Sequence, residues 1–302
     1  MSEGPSLEEV RQQALTLGWD DVGVTSPEIP EEDIASYQEW IEKGYHCQLS
    51  YMENELRLNP QRLLPGAKSA ILFVTNYKQP KLPFHSDGRG LIASYARKRD
   101  YHHVHRSRIK RFIRWLEERT EQKEIALGFS DSKPILEKAL FVKAGLGWFG
   151  KNTLLIHRQF GTFILLSGIL TTLSFNLPKP ISTRTPRCGV CTKCLDACPT
   201  RALISPYKLD ASRCLAYHLI ESKEPLPTAI AQANPGYAFG CDICQDVCPH
   251  NVRSPLSICS DFIPESTEEA YLTLEKVKTK SFNGTPLKRR GAEGLSWNLL
   301  SL

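Results

Sequence analysis

The chain has 302 residues, 41% of them hydrophobic and 24% charged, with a net charge of +5. This is ordinary globular composition, enough for one large and one small domain with a core that folds without disulfides. No apolar run reaches the length of a membrane span, and the acidic, polar opening MSEGPSLEEVRQQ has neither signal-peptide nor transit-peptide character, so a cytoplasmic protein that does not enter a membrane is expected.

In chain order, Ser6-Leu-Glu-Glu9 has capping-box form. Leu7, Val10, Ala14 and Leu17 follow at helical spacing, and Gly18 stops the helix. Val22–Val24 reads as a short strand and Ile34–Lys43 as a second helix. Ala70–Val74 is a continuous apolar run after Pro65-Gly66, the pattern of a buried strand. Tyr101–Glu118 reads as a basic amphipathic helix. Between Arg97 and Arg114 lie eight basic residues, Arg97, Lys98, Arg99, Arg106, Arg108, Lys110, Arg111 and Arg114, against the single acid Asp100. Ser132-Lys-Pro134 reads as the opening of a helix that runs to about Ala144, with proline in its first turn. Phe163–Leu170 is a second buried strand. The fold class is therefore α+β: an α/β domain over residues 1–178, a boundary in the Pro-rich stretch Leu177–Pro186, a cysteine-rich domain over 179–260, and a tail over 261–302.

Eight of the ten cysteines fall between Cys188 and Cys248. Clustering of this kind in a chain without a leader points to metal, not disulfides. The first run, Cys188-x2-Cys191-x2-Cys194-x3-Cys198-Pro199, is the bacterial ferredoxin pattern, in which three close thiolates grip one 4Fe–4S cube and the fourth reaches the neighbouring cluster. The second, Cys241-x2-Cys244-x3-Cys248-Pro249, has one cysteine fewer, and Cys214 upstream supplies the missing ligand. Exchange of the fourth ligands gives two complete sites. One is Cys188, Cys191, Cys194 and Cys248; the other is Cys198, Cys214, Cys241 and Cys244. Structural zinc also uses Cys-x2-Cys, but seldom with x2, x2, x3 spacing and a repeated Cys-Pro. Cys47 and Cys259 read as plain buried thiols. Two close clusters conduct single electrons and do no substrate chemistry themselves, so the long region before them must hold the acceptor or the substrate site.

Several segments carry a resemblance to a known family. They are Arg57-x2-Pro60 with Leu64-Pro-Gly66, Tyr95-Ala-Arg-x2-Asp-Tyr-His102, Asp131-Ser132, Lys143–Asn152 (KAGLGWFGKN), the first cysteine run, Gly240–Pro249 and Phe282-x-Gly-Thr-Pro286. With these segments the chain resembles the epoxyqueuosine reductases, cobalamin-dependent iron–sulfur enzymes that complete the queuosine base of tRNA. The resemblance implies a cobalamin held over the N-terminal α/β domain beside a ferredoxin-like module with two 4Fe–4S clusters. It implies a monomeric cytoplasmic enzyme whose substrate is tRNA carrying epoxyqueuosine in its anticodon loop, with an electron donor such as a flavodoxin or ferredoxin. No Asp-x-His-x-x-Gly cobalamin box is present. Longer relatives continue into a helical-repeat domain, and the family usually has threonine near His218 and often Arg-Asn where this chain has Trp297-Asn298.

By the same resemblance Asp131 is the proton donor for the opening epoxide oxygen. Read from the sequence alone, Asp131 and Ser132 cap the helix, where the helix dipole favours the anion. Arg57, Tyr95, Asp131 and Asn152 are the candidates for the cofactor pocket. Gly145, Gly147 and Gly150 either admit a cofactor against the backbone or end a helix. The basic helix either neutralises tRNA phosphates or is a solvated face. Tyr217 and His218 either line the pocket for an unstacked base or pack around a cluster. The competing activity is that of a corrinoid reductive dehalogenase-like enzyme acting on a small molecule. A bare electron-transfer module needs only the last third of such a chain.

Overall fold

The computed structural model describes residues 4–177 and 187–302. The expected boundary between residues 178 and 179 lies outside the described residues.

The first part builds α1 (Leu7–Thr16), β1 (Asp21–Thr25), α2 (Glu31–Glu42), β2 (Ser69–Asn76), β3 (Gly90–Ile92), α3 (Tyr101–Thr120), β4 (Ala126–Phe129), α4 (Glu137–Lys143), β5 (Trp148–Phe149), β6 (Leu155–Ile156) and β7 (Ile164–Thr171). The capping box of α1 forms as its sequence requires. Ser6 accepts from the Glu9 N–H, and the Glu9 carboxylate accepts from the Ser6 N–H at 2.8 Å.

Four strands make one antiparallel sheet in the order β1-β2-β7-β4. The apolar runs in β2 and β7 are continuous because helices cover both faces of the sheet. Alternation along β2 then sorts the side chains. Ile71 and Phe73 meet Val10, Ala14, Phe112 and Leu116 from α1 and α3. Ala70, Leu72 and Val74 meet Leu140 and Phe141 from α4. Trp19 stacks on Phe73 with ring centroids 3.9 Å apart.

One expected element differs. The helix foreseen from Pro134 opens only at Glu137, with Leu136 at its N-cap and no side-chain cap. Residues 131–136 form a bent, non-helical segment that seats Ile135 in the core, and the Glu137 carboxyl returns to accept the Asp131 N–H.

The later segments fold against this scaffold. A three-stranded sheet has β3 at its centre, parallel to Tyr237–Phe239 and antiparallel to Tyr271–Leu272. It therefore takes one strand from each of the three segments read in the sequence. The closing helices Leu274–Thr279 and Gly291–Leu300 pack their Val277, Leu295 and Leu299 on Ile92, Ala238 and Phe239. Among the described residues no helix is long and apolar enough to cross a membrane.

Candidate active site and cluster loops

A cavity of about 1160 Å³ opens between α2, the loop before Arg57, α4, the start of β7 and the segments Pro206–Ala211 and Cys214–Glu221. Its wall is mainly aromatic and aliphatic, with Tyr37, Trp40, Leu136, Trp148 and Leu166 among the contributors. Arg57, Tyr95 and Asp131 all line it, so three of the four pocket candidates converge from separate parts of the chain.

Asp131 lies just beyond β4 in the left-handed backbone region, φ +52°. Asp and Asn tolerate that region better than most residues. Its side chain is 74% exposed and accepts the Tyr101 Oη–H at 3.1 Å through Oδ2. Its N–H donates to Glu137 Oε1 at 2.7 Å. His102 Nε2 stands 4.0 Å from Oδ2. Since α4 starts six residues later, Asp131 does not cap it. The loop is braced from behind by Ser130, whose hydroxyl donates to the Leu166 carbonyl at 3.0 Å and meets His105 Nδ1 at 3.0 Å. His105 is fully buried, and burial pulls its pKa down to about 3, so the ring is neutral.

Two further groups of the cavity wall were not legible in the sequence. Burial, with the Asp131 charge second, pushes the Glu137 carboxyl up to about 8. Burial also pulls the Lys138 ammonium pKa down; its Nζ donates to the Thr153 carbonyl at 2.8 Å. Arg57 donates to the Tyr51 carbonyl at 3.3 Å and stands 5.8 Å over the Tyr51 ring. Tyr95 is held among Tyr101 and Phe239, and burial pushes its phenol up.

Asn152 is not on the cavity wall. Its Nδ2 donates to the Cys244 carbonyl at 3.4 Å and its Oδ1 accepts the Leu154 N–H, so it ties the β5–β6 hairpin to a cysteine loop. Its neighbour Lys151 reaches the other run, donating to the carbonyls of Gly189 at 2.6 Å and Cys191 at 2.9 Å. Gly145, at φ +78°, ends α4. A Cβ on Gly147 would stand 2.3 Å from the Ile156 carbonyl oxygen, so the hairpin's own backbone demands glycine there. Of the pair beside Cys214, Tyr217 lines the cavity. His218 is turned inward, with Nε2 on the Ser212 carbonyl at 2.7 Å. Cys47 and Cys259 are half-buried, not fully buried; the Cys259 sulfur accepts from Arg108 at 3.2 Å.

Among the described residues none of the eight clustered cysteines is in a disulfide. Cys194 feels Cys188 and Cys248, and Cys248 feels Cys188 and Cys191. Cys214 feels Cys198, Cys241 feels Cys244 and Cys214, and Cys244 feels Cys214, Cys194 and Cys198, so the two groups of thiols lie close enough to influence each other. Burial, reinforced by neighbouring thiols, pushes Cys194 up to about 11 and raises Cys214, Cys241, Cys244 and Cys248 as well. Ligating thiols must lose their protons, so sites of this kind need the positive charge of bound metal. Among the described residues no three Cys, His, Asp or Glu side chains close on one point as a single ion requires. A 4Fe–4S cube instead takes its thiolates at four separate corners. Cys214 also lines the cavity, so the second group of thiols adjoins it.

Of the eight basic residues around α3, four are structural. Arg97 is buried on the Ile92 carbonyl and Gln79. Arg99 pairs with Asp261, Lys98 with Glu265, and Arg108 holds the Gly18 carbonyl. Arg106, Lys110, Arg111 and Arg114 are exposed.

A family model described as "4Fe-4S double cluster binding domain" matches residues 187–251. Another, "Epoxyqueuosine reductase QueG, DUF1730", matches residues 57–132. The chain is 36% identical to the epoxyqueuosine reductase of Cyclobacterium marinum over 96% of this chain and 94% of that one. It is similar to the structure of an epoxyqueuosine reductase with a tRNA-Tyr epoxyqueuosine-modified tRNA stem loop, at TM-score 0.86 and 27% identity over 97% of this chain and 80% of that one. It is also similar to the Bacillus subtilis enzyme whose aspartate catalytic loop is swung out of the active site, at TM-score 0.84 and 26% identity over the same shares. The chain belongs to the epoxyqueuosine reductase family.

Proposed function

We propose that this protein reduces epoxyqueuosine to queuosine in tRNA, using cobalamin in the cavity and electrons relayed by two 4Fe–4S clusters. The observation that carries the reading is the cavity itself. It gathers Arg57, Tyr95 and Asp131, and it borders the thiol group that contains Cys214. Its volume exceeds the roughly 300–1,000 Å³ of ordinary small-molecule sites, and its apolar wall with few polar groups suits a large, flat cofactor plus a base.

In this reading Cys188, Cys191, Cys194 and Cys248 hold one cluster, and Cys198, Cys214, Cys241 and Cys244 hold the other. The second cluster is the one beside the cavity. A flavodoxin or ferredoxin supplies the electrons. The protein acts as a cytoplasmic monomer. Arg57 and Tyr95 would hold the cofactor from the cavity wall, while Asn152 acts one layer back, on the Cys244 loop. When bound, cobalamin supplies reduced-cobalt chemistry at the epoxide carbon.

The remaining work falls to the protein. Removing the epoxide oxygen as water consumes two electrons and two protons. Asp131 delivers a proton to the opening oxygen, and Tyr101 orients its carboxyl through the 3.1 Å hydrogen bond. The aromatic wall admits an unstacked base and excludes water.

The test is anaerobic reconstitution with iron and sulfide, titration with cobalamin followed by absorbance, and incubation with epoxyqueuosine-containing tRNA and a strong reductant. Cobalamin binding without conversion would favour a small-molecule substrate, and no cobalamin binding would remove the cofactor from the account.

A further inference from the structure

The reaction proposed above takes two protons, and a single exposed aspartate carries one at a time. We propose that Glu137 is the second proton-holding group of this site, the partner that reloads Asp131 between the two protonations. This rests on the reductase reading of the cavity.

The geometry is specific. Glu137 Oε1 accepts the backbone N–H of Asp131 at 2.7 Å, and both residues line the same cavity. Their positions differ in kind. Asp131 is exposed within the cavity mouth, whereas Glu137 is half-buried in its wall at the first turn of α4. Two carboxylates beside one cavity resist ionising together, so the more buried one keeps its proton while the other delivers one. Asp131 adds to the burial that holds the Glu137 proton, while its N–H, Arg57 and Lys138 oppose it. The nearby Tyr101 phenol, itself raised by burial, stays neutral. On the other side of Asp131, His102 Nε2 stands 4.0 Å from its Oδ2.

The proton balance closes. The first C–O bond breaks and its oxygen takes the Asp131 proton, becoming a hydroxyl. Glu137 then returns a proton to Asp131. The second C–O bond breaks with that proton and water leaves. The two electrons come through the clusters, and solvent reprotonates Glu137.

Two measurements test the pair. Infrared difference spectroscopy of the cluster-loaded protein follows its protonated carboxyl groups with pH. A glutamic acid band that titrates near pH 8 is expected, and in Asp131→Asn that titration moves down because the like charge has gone. An unmoved titration, or none in this range, would overturn the proposal. This readout needs no turnover, so it separates failure of the pair from failure of the reductase reading. Glu137→Gln keeps an oxygen to accept the Asp131 N–H but cannot release a proton. It is expected to bind cobalamin like the parent, to lose about 10²-fold in turnover at neutral pH, and to lose the alkaline limb near pH 8. A Glu137→Gln pH profile superposed on that of the parent would also overturn the proposal. If that variant does not fold, the infrared comparison of the parent with Asp131→Asn decides alone.

Discussion

Asp131→Asn isolates proton delivery from every other property of the site. Asparagine tolerates the φ of +52° at this position, so the loop keeps its shape. Its amide oxygen can still accept the Tyr101 Oη–H, and the backbone N–H bond to Glu137 is untouched. The side chain is 74% exposed, so the change in folding stability stays within about 0.5 kcal/mol. What disappears is an acidic proton at the opening oxygen. General acid catalysis contributes roughly 10²–10⁴-fold, equivalent to about 3–5 kcal/mol of transition-state stabilisation. The assay is single turnover on epoxyqueuosine tRNA with excess reductant, alongside iron content, cobalamin absorbance and tRNA affinity. The expected variant carries both clusters, binds both ligands and turns over at least about 10²-fold more slowly. Turnover within a few-fold of the parent would refute the assignment of Asp131 as the acid.

Other consequences are equally concrete. Lys151→Met removes the donors to the Gly189 and Cys191 carbonyls, a loss of about 1–3 kcal/mol in holding the first cysteine loop. Faster loss of iron–sulfur absorbance in air is expected, and an unchanged decay would contradict it. His105 is neutral when folded, with its pKa pulled to about 3, whereas the unfolded ring titrates near 6.5. The unfolded state therefore binds more protons below pH 6.5. The contribution of this site is complete above that pH and is lost as the pH falls towards 3, about 2 kcal/mol by pH 5. His105→Gln should flatten the pH dependence of the urea midpoint between pH 7 and pH 5, and equal slopes in both proteins would count against it. Arg111→Glu with Arg114→Glu changes two exposed charges of α3. If α3 contacts tRNA phosphates, affinity falls and the slope against log salt drops by about 2; an unchanged slope makes this a solvated face.

What the sequence made legible follows from which signals are local. The capping box at Ser6, the apolar runs of β2 and β7 and the basic periodicity of α3 are read within a single segment, and each element formed within a few residues of its expected ends. The cysteine spacing is equally local, and a double-cluster family model matches the segment that holds it, whereas in the fold Cys244 feels Cys194 as well as Cys214 and Cys198. The cavity is not local. Tyr37 and Trp40 come from α2, Leu136 from the turn before α4 and Tyr217 from the helix after Cys214, and no motif links them. Glu137 carried no signal because its raised pKa is made by tertiary burial and by Asp131. The misplaced start of α4 has the same origin. Proline at position 134 fits a first turn by propensity, but the core claims Ile135 and the Glu137 carboxyl folds back on Asp131. Asn152 belongs to a conspicuous motif whose side chain serves the Cys244 loop, so the motif marked a real junction one layer away from the pocket.

The central claim is tested most directly by mass spectrometry of the tRNA nucleosides after anaerobic incubation with the cluster-loaded protein, cobalamin and reductant. The account predicts that epoxyqueuosine is replaced by queuosine, one oxygen lighter, only when cobalamin and reductant are both present. Unconverted epoxyqueuosine with both clusters intact and cobalamin bound would contradict it.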